Sequence, residues 1–355
     1  MVIMASLTRR LGAALAATGL ALAFGIIPAQ AASASGWQRM YRNSAKTGNS
    51  LYSVAALSGS DQWAVGVWGQ SALVMHGTGS RWSRVTVPGQ AGAELFQVAA
   101  TSPGNVWAFG NRGGSTGVAL RYDGTSWQPV ALPSGVVPNE AAVLSSTDVW
   151  IGSQEGCTGT SCTTDMYQWN GATWTKYTVP ALVNWISGSA PGNVWLVGET
   201  SAGLPGPYTL LAYRWTGSRW KAVSMPHPRS TGPPMITVVS RGNVWLFAWQ
   251  AKKSQRGYLL HWTGSRWREF VAPADLPTGD GLVPDGRGGA WAGALAHWTG
   301  RTWVNTEPGL AFTGTDAFAM NGLARVPGRS TLWAVGEVQR PPTSKVWDSL
   351  IARYP

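Results

Sequence analysis

Short apolar runs separated by turns rich in glycine and proline recur along the chain with a period of roughly 45 residues. One repeat contains Phe96-Gln97-Val98-Ala99-Ala100, Val106-Trp107-Ala108-Phe109, Val118-Ala119-Leu120-Arg121-Tyr122 and Trp127-Gln128-Pro129-Val130. The second run is apolar at successive positions, as expected of a strand covered on both faces, while the third mixes polar and apolar positions, as expected nearer a rim. Asp123-Gly124, Asn170-Gly171, Thr216-Gly217 and Thr263-Gly264 supply hairpin-turn chemistry between the third and fourth runs. Each repeat thus predicts four strands, A to D. A helical alternative is disfavoured by 45 glycines and 22 prolines in 355 residues.

Two tryptophan signatures carry the period. The first resembles Gly-Asn-Val-Trp-Ala-Phe-Gly, falls on strand B, and places Trp63, Trp107, Trp150, Trp195, Trp245, Trp291 and Trp333. The second, aromatic-x-Gly-x-x-Trp, opens strand D at Trp82, Trp127, Trp174, Trp220, Trp267 and Trp303, with Trp37 as a truncated copy. Four-stranded units at this period are the pattern of a β-propeller, and the count predicts an all-β, seven-bladed one. The register of the two ends agrees. Leu350-Ile351-Ala352-Arg353-Tyr354 aligns with strand C and has no strand D after it, whereas Gly36-Trp37-Gln38-Arg39-Met40 is a strand D with nothing before it. Blade 7 is therefore expected to be closed by the N-terminal strand, which removes the open sides of an incomplete ring.

Arg9 and Arg10, the apolar run from Leu11 to Ile27 and Pro28-Ala29-Gln30-Ala31 read as a secretory signal peptide over residues 1–31. Sec export is the simpler reading, although Thr8-Arg9-Arg10 resembles a twin-arginine signal. Residues 32–355 are then one propeller domain, expected to be secreted, monomeric and without a membrane span after cleavage. Cys157 and Cys162 lie in the B to C connection of blade 3, where export permits a disulfide.

Formal charge is +11; without Arg9 and Arg10, 25 basic residues face 16 acidic ones. That balance favours anionic partners such as envelope polymers or acidic polysaccharides, with nucleic acid not favoured. A bias of 21 Arg against 6 Lys is also what a high-GC genome produces. Arg81, Arg219 and Arg266, in Gly-Ser-Arg-Trp turns, could form a basic ring, cover tryptophan faces or stay solvated.

Candidate chemistry is sparse. His76, His261 and His297 share a strand C column with Arg121, Gln168, Arg214 and Arg353, which reads as a solvated or edge-facing polar position. His227 lies in a proline-rich connection. Asp275, Asp280 and Asp285 cluster without the spacing of a calcium loop, and no nucleophile elbow, phosphate loop or zinc-protease helix occurs. No catalytic residue, metal or cofactor is assigned, and the balance leans away from an enzyme.

The repeated tryptophans read as core: at roughly 200 Å² each, burial contributes at most about 5 kcal/mol gross per side chain. Four more, Trp169, Trp215, Trp262 and Trp298, fill the strand C aromatic column, leaving Trp68, Trp185, Trp249 and Trp347. The A to B and C to D turns are short and uniform. The opposite connections vary, with 12 residues between the strand B and strand D tryptophans in blade 6 and 25 in blade 4. Trp68, Trp249 and Trp347 map to B to C connections and Trp185 to the start of strand A, all on the variable face. With Tyr208, they are the candidate ligand-binding residues; the competing reading is that each folds back as a loop anchor.

The recurring Asn/Asp-Val-Trp-x-x-Gly and Leu-x-His-Trp-Thr/Asn-Gly-x-x-Trp resemble the Trp-rich repeats of secreted actinobacterial β-propellers, which are similar to kelch and tectonin repeats. Kelch repeats carry a double glycine after strand B, whereas Gly66, Gly110, Gly198 and Gly336 stand alone here. Asp123-Gly124-Thr125-Ser126-Trp127 is similar to the Asp-box of sialidases but lacks the residue between Asp and Gly. The resemblance implies the fold and leaves three functions open: a non-enzymatic binding propeller for glycans or anionic envelope polymers, a carbohydrate-active hydrolase or lyase, and a protein-interaction scaffold.

Overall fold

In blade 1, strand A (Asn49–Ser58) pairs antiparallel with strand B (Asp61–Trp68), B with C (Ser71–Thr78), and C with D (Arg81–Val85). The same order builds seven sheets, six of them four-stranded and that of blade 4 with Arg229–Ser230 as a fifth strand on its strand C, so the chain is a seven-bladed β-propeller. The structure, a computed structural model, describes residues 36–43, 48–158, 161–200, 208–226, 229–230, 232–249, 256–274, 280–293, 296–306, 318–339 and 346–355. The expected signal peptide, His227 and Asp275 lie outside them.

Blade 7 consists of Phe318–Arg325, Leu332–Gln339 and Trp347–Tyr354, and its outermost strand is Gln38–Arg42 from the other end of the chain. Gln38 faces Arg353 and Arg42 faces Leu350. The Arg42 guanidinium meets the fully buried Asp348 carboxylate at 3.1 Å, and Asn43 N–H donates to the Ser349 carbonyl at 3.1 Å. The seam with blade 1 is polar: Ser349 N–H donates to Asn49 Oδ1 at 2.7 Å, and Ser50 Oγ donates to Glu337 Oε2.

Seven hydrophobic clusters fill the seven seams between blades. The strand B tryptophan of one blade meets outer-strand aromatics of the next, as Trp63 meets Trp127 (5.4 Å), Trp150 meets Trp220 (5.2 Å) and Trp333 meets Trp82 (5.3 Å). Trp37 meets Trp291 of blade 6 at 6.1 Å, the contact expected of a strand D of blade 7. Edge-on pairing dominates because it sets the positive rim of one ring against the negative face of another.

Strand A of each blade lies beside strand A of both neighbours all the way round, so these strands line a central channel. In five blades strand A carries one extra residue at the same place: Tyr52, Phe96, Asn139, Asn184 and Asn321 each fall at a register shift. Opposite four of these bulges stand the single glycines Gly66, Gly110, Gly198 and Gly336. The bulge swings the strand A backbone across the space a side chain would occupy. A Cβ at these glycines would collide with the carbonyl oxygens of Ser50, Glu94, Leu182 and Ala319 respectively. The lone glycine of the repeat is thus the partner of a bulge. Gly110→Ala is expected to destabilise the protein by roughly 2–4 kcal/mol in urea unfolding, while Gly36→Ala, with open space around it, leaves the midpoint unchanged; equal midpoints for both variants would contradict this.

Candidate functional site

The two ends of the ring are chemically different. On one, A to B and C to D turns meet, with Gly242 against Gly264 and Gly288 against Gly300. On the other, B to C and D to A connections meet, with Gly69 N–H donating to the Gly48 carbonyl at 2.9 Å and Gly293 N–H to the Gly281 carbonyl at 2.7 Å. The strand A bulges lie toward the second end, and a bulge re-aims the side chains at it.

What they present is a mixture of rings, amides and carboxyls. Tyr52 and Phe96, from blades 1 and 2, lie with ring centroids 5.8 Å apart and are half-buried. Asn139 is exposed, and next to it stands Glu140. The Glu140 carboxyl is pushed well above the usual carboxylate range, first by burial and then by the charge of Asp280. Asp280 precedes strand A of blade 6 and is itself raised by burial. Glu140 and Asp280 come from nearly opposite sides of the ring. The Tyr52 phenol is pushed up to about 12 by burial and then by Glu94 and Glu337, against a hydrogen bond with Ser50. In blade 4, Asn184 hydrogen-bonds the Glu199 carboxyl, which burial raises to about 7.

Strand A side chains also tie blade to blade. Ser53 Oγ accepts from Val98 N–H at 3.2 Å, Gln97 Nε2 donates to the Ala141 carbonyl at 2.8 Å, and Asn321 Nδ2 donates to the Leu51 carbonyl at 3.0 Å. The channel wall is held by neighbours on both sides, the condition for a preformed site.

The sequence-selected tryptophans divide. Trp185 sits in strand A beside the Asn184 bulge, half-buried, and packs against the seams on both sides of blade 5. Trp249 is the last residue of its strand B, with its ring against Phe247 at 5.3 Å and over Gly232; it packs on the same blade 5 to blade 6 seam as Trp185. Trp68 also ends a strand B, lies at the blade 7 to blade 1 seam, and has the Arg84 guanidinium 4.7 Å from its ring centroid. Trp347 opens strand C of blade 7 and pairs with Gln339. The three mapped to connections therefore belong to strand ends, and all four rings are half-buried rather than free in solvent. Tyr208 opens strand C of blade 4, paired with Ser230, and its side chain is outside the described residues.

The strand C histidine column proves to be structural. His76, His261 and His297 lie on the strand B tryptophans Trp63, Trp245 and Trp291 at 4.1, 3.9 and 4.2 Å. Their Nε2 atoms reach Asp61 (2.9 Å), Asn243 (2.9 Å) and Asp285 (3.1 Å). In other blades Gln168 donates to Asp148 at 2.9 Å and Arg121 lies 5.7 Å from the Trp107 centroid. A flat polar group with a donor serves the position, so His, Arg and Gln interchange; the edge-facing reading is corrected to a tryptophan-covering one. Burial opposes ionisation of Asp285, but hydrogen bonds from His297, Arg287 N–H and Gly289 N–H leave its carboxyl below its ordinary value. Asp123 accepts from Thr125 and Ser126 within its own turn, a turn-closing role. The aspartate cluster is split by strand A of blade 6 (Leu282–Pro284): Asp280 lies at its channel-mouth end and Asp285 in the A to B turn.

Register sets Cys157 directly opposite Cys162 across the blade 3 hairpin. Cross-strand partners are about 4.5–5.5 Å apart at Cα, inside the ~4.4–6.8 Å that a disulfide spans.

No protein-family description and no curated protein matches the sequence. Among solved structures, the chain is similar to YCF48 bound to D1 peptide, at 15% identity and TM-score 0.59, covering 91% of this chain and 98% of that one. It is also similar to a protein of unknown function from Dyadobacter fermentans (11%, TM-score 0.51, covering 90% and 98%). The GH74 xyloglucanase from Xanthomonas campestris gives 13% identity and TM-score 0.54, covering 88% of this chain and 55% of the enzyme. At these identities the likeness is one of fold: a Trp-rich β-propeller.

The Glu199 carboxyl gives a test of the site's electrostatics. Its folded pKa of about 7 lies above the unfolded value of about 4.3, so the folded state holds the proton. The resulting stability is full below the unfolded value and is lost as pH rises to about 7. Glu199→Gln is expected to be nearly neutral at low pH and to stabilise by roughly 2–3 kcal/mol above pH ~8, read from urea midpoints across the range. Parallel curves for the two proteins would contradict the assignment.

Proposed function

We propose that this chain is an exported, non-enzymatic binding propeller that takes a carbohydrate at the channel mouth on the face of the B to C and D to A connections. The observation that carries this reading is the set of strand A bulges, at which the Tyr52 and Phe96 rings lie side by side and Asn139 and Asn184 recur at the same height, with Trp185 next to the Asn184 bulge. A sugar presents apolar C–H faces and a fringe of hydroxyls. Aromatic rings match the first, and amides and carboxyls, which accept and donate in one plane, match the second. Trp68, Trp249 and Trp347 would then shape the rim, with Tyr208 on the blade 4 side. Export follows from the signal-peptide reading of residues 1–31, and the Cys157–Cys162 disulfide is part of the same proposal.

A second reading is favoured by one observation. Glu140 and Asp280 are two carboxyls with raised pKa, and the charge of Asp280 adds to the rise at Glu140; a glycoside hydrolase uses such a pair as acid and base. The two readings separate on one set of proteins. In a glycan array and polysaccharide pulldown, Tyr52→Ala, Phe96→Ala and Trp185→Ala are each expected to weaken retention about tenfold or more, on the scale of ~1.4 kcal/mol per lost aromatic contact. Their thermal midpoints serve as the folding control. Release of reducing ends that Glu140→Gln abolishes would replace binding with hydrolysis. Wild-type retention untouched by all three substitutions, or capture of peptides in place of glycans, would overturn the carbohydrate reading.

A further inference from the structure

The opposite face, built from the A to B and C to D turns, carries a charge pattern that the channel reading does not use. Arg81, Arg219, Arg266 and Arg301 stand at the C to D turns of blades 1, 4, 5 and 6, and all are exposed. Arg241, Arg287 and Arg329 stand exposed at the A to B turns of blades 5, 6 and 7. Together they cover five consecutive blades, from blade 4 round to blade 1. Neighbouring turns along the arc touch: the Arg329 guanidinium lies near Gly59 of blade 1, and Arg325 Nη1 donates to the Asp285 carbonyl at 3.1 Å.

None of the seven arginines forms an ion pair among the described residues, and none lies over a tryptophan. Of the three states open to Arg81, Arg219 and Arg266 in the sequence, the structure supports an exposed basic set. The acids of this face are otherwise engaged. Asp61 and Asp285 hold His76 and His297, and Asp148 is buried against Gln168. Blades 2 and 3 have no arginine in these turns, and blade 2 presents the ionised Asp123 instead. The positive field is therefore an arc with a gap.

We infer that this arc is a docking surface for a phosphodiester polymer, such as an envelope polymer with one phosphate per repeat. Three observations choose that partner. Seven unpaired guanidinium groups, spread along an arc instead of gathered in a pocket, suit a linear polyanion better than a single small anion. In three turns the arginine follows an exposed serine, Ser80, Ser218 and Ser265, so each tip offers a hydroxyl beside a guanidinium fork, donors commonly used on phosphate oxygens. The tryptophans next to these turns are committed to the seams: Trp82 packs on Trp333, Trp220 on Trp150 and Trp267 on Trp195. No ring there is free to stack a base, which disfavours single-stranded nucleic acid.

The test uses the whole protein and three probes of matched charge: poly(glycerol phosphate), a phosphodiester chain without bases; polygalacturonate, a carboxylate chain; and oligo-dT, a phosphodiester chain with bases. Poly(glycerol phosphate) is expected to bind at least as tightly as oligo-dT and more tightly than polygalacturonate, with affinity falling steeply as salt rises. The triple variant Arg219→Gln, Arg266→Gln, Arg301→Gln is expected to bind poly(glycerol phosphate) at least tenfold more weakly and to lower the salt slope by about three. Arg39→Gln, on the outer strand, is expected to bind as the wild type does. Exposed turn substitutions barely move stability, so thermal midpoints identify any misfolded variant; single substitutions at the three positions give a second route if the triple variant fails. Equal binding by triple variant and wild type, polygalacturonate binding as tightly as poly(glycerol phosphate), oligo-dT binding tenfold or more tighter than poly(glycerol phosphate), or salt-independent binding would each overturn the inference. Channel-mouth substitutions leave this readout unchanged, so its failure and that of the carbohydrate reading are separable.

Discussion

Everything in this molecule depends on the ring being closed. Each blade buries one face against the next through tryptophans worth up to about 5 kcal/mol each in gross burial, and none of those contacts has a partner at an open gap. Closure is made by five residues, Gln38–Arg42, laid along Trp347–Tyr354. Trp37 extends the strand into the blade 6 seam beside Trp291, and Arg42 neutralises the buried Asp348. Removing one member of such a buried ion pair leaves an uncompensated charge, which is far costlier than losing a surface pair.

A closed ring fixes the positions of its inner strands, and there the repeat departs from regularity. The bulges at Tyr52, Phe96, Asn139, Asn184 and Asn321 recur at one height, and four of them have a hydrogen-bonded or packed neighbour: Tyr52 with Phe96, Asn184 with Glu199 and Asn321 with Leu51. The residues they present differ from blade to blade while the backbone device stays constant. Constancy of scaffold with variation of side chain is how one fold comes to host many binding functions. The two faces then divide the chemistry: rings, amides and carboxyls around the channel mouth, and exposed arginines on the turns opposite.

Much of this was legible in the sequence. The tryptophan spacing gave the blade count, and the orphan strand at Gly36-Trp37-Gln38 gave the closure, because both follow from pattern and length. Gly66, Gly110, Gly198 and Gly336 were visible as single glycines, but their cause was not: a bulge is a change of register between two strands and has no composition of its own. For the same reason Phe96 reads as an ordinary strand A residue, and Tyr52 and Asn184 carry no signal in the sequence. Glu140 and Asp280 lie 140 residues apart in the chain, and only the ring lets the charge of Asp280 bear on Glu140. The histidine column was misjudged because the stacking surface beneath it belongs to strand B. Trp68, Trp185, Trp249 and Trp347 stand out in the sequence because they break the period, and the structure puts Trp185 inside strand A and the other three at strand ends.

The central claim is that closure by the N-terminal strand makes the seven blades one cooperative unit. Native-state hydrogen exchange of the segment Trp347–Tyr354 tests it most directly, because it is paired to strand B along its length and, over Leu350–Arg353, to Gln38–Arg42 on the other side. The account predicts that this segment exchanges only through global unfolding, with the same opening free energy and denaturant dependence as Asn105–Arg112 in the second blade. Exchange of Trp347–Tyr354 through a cheaper local opening, insensitive to denaturant, would contradict it.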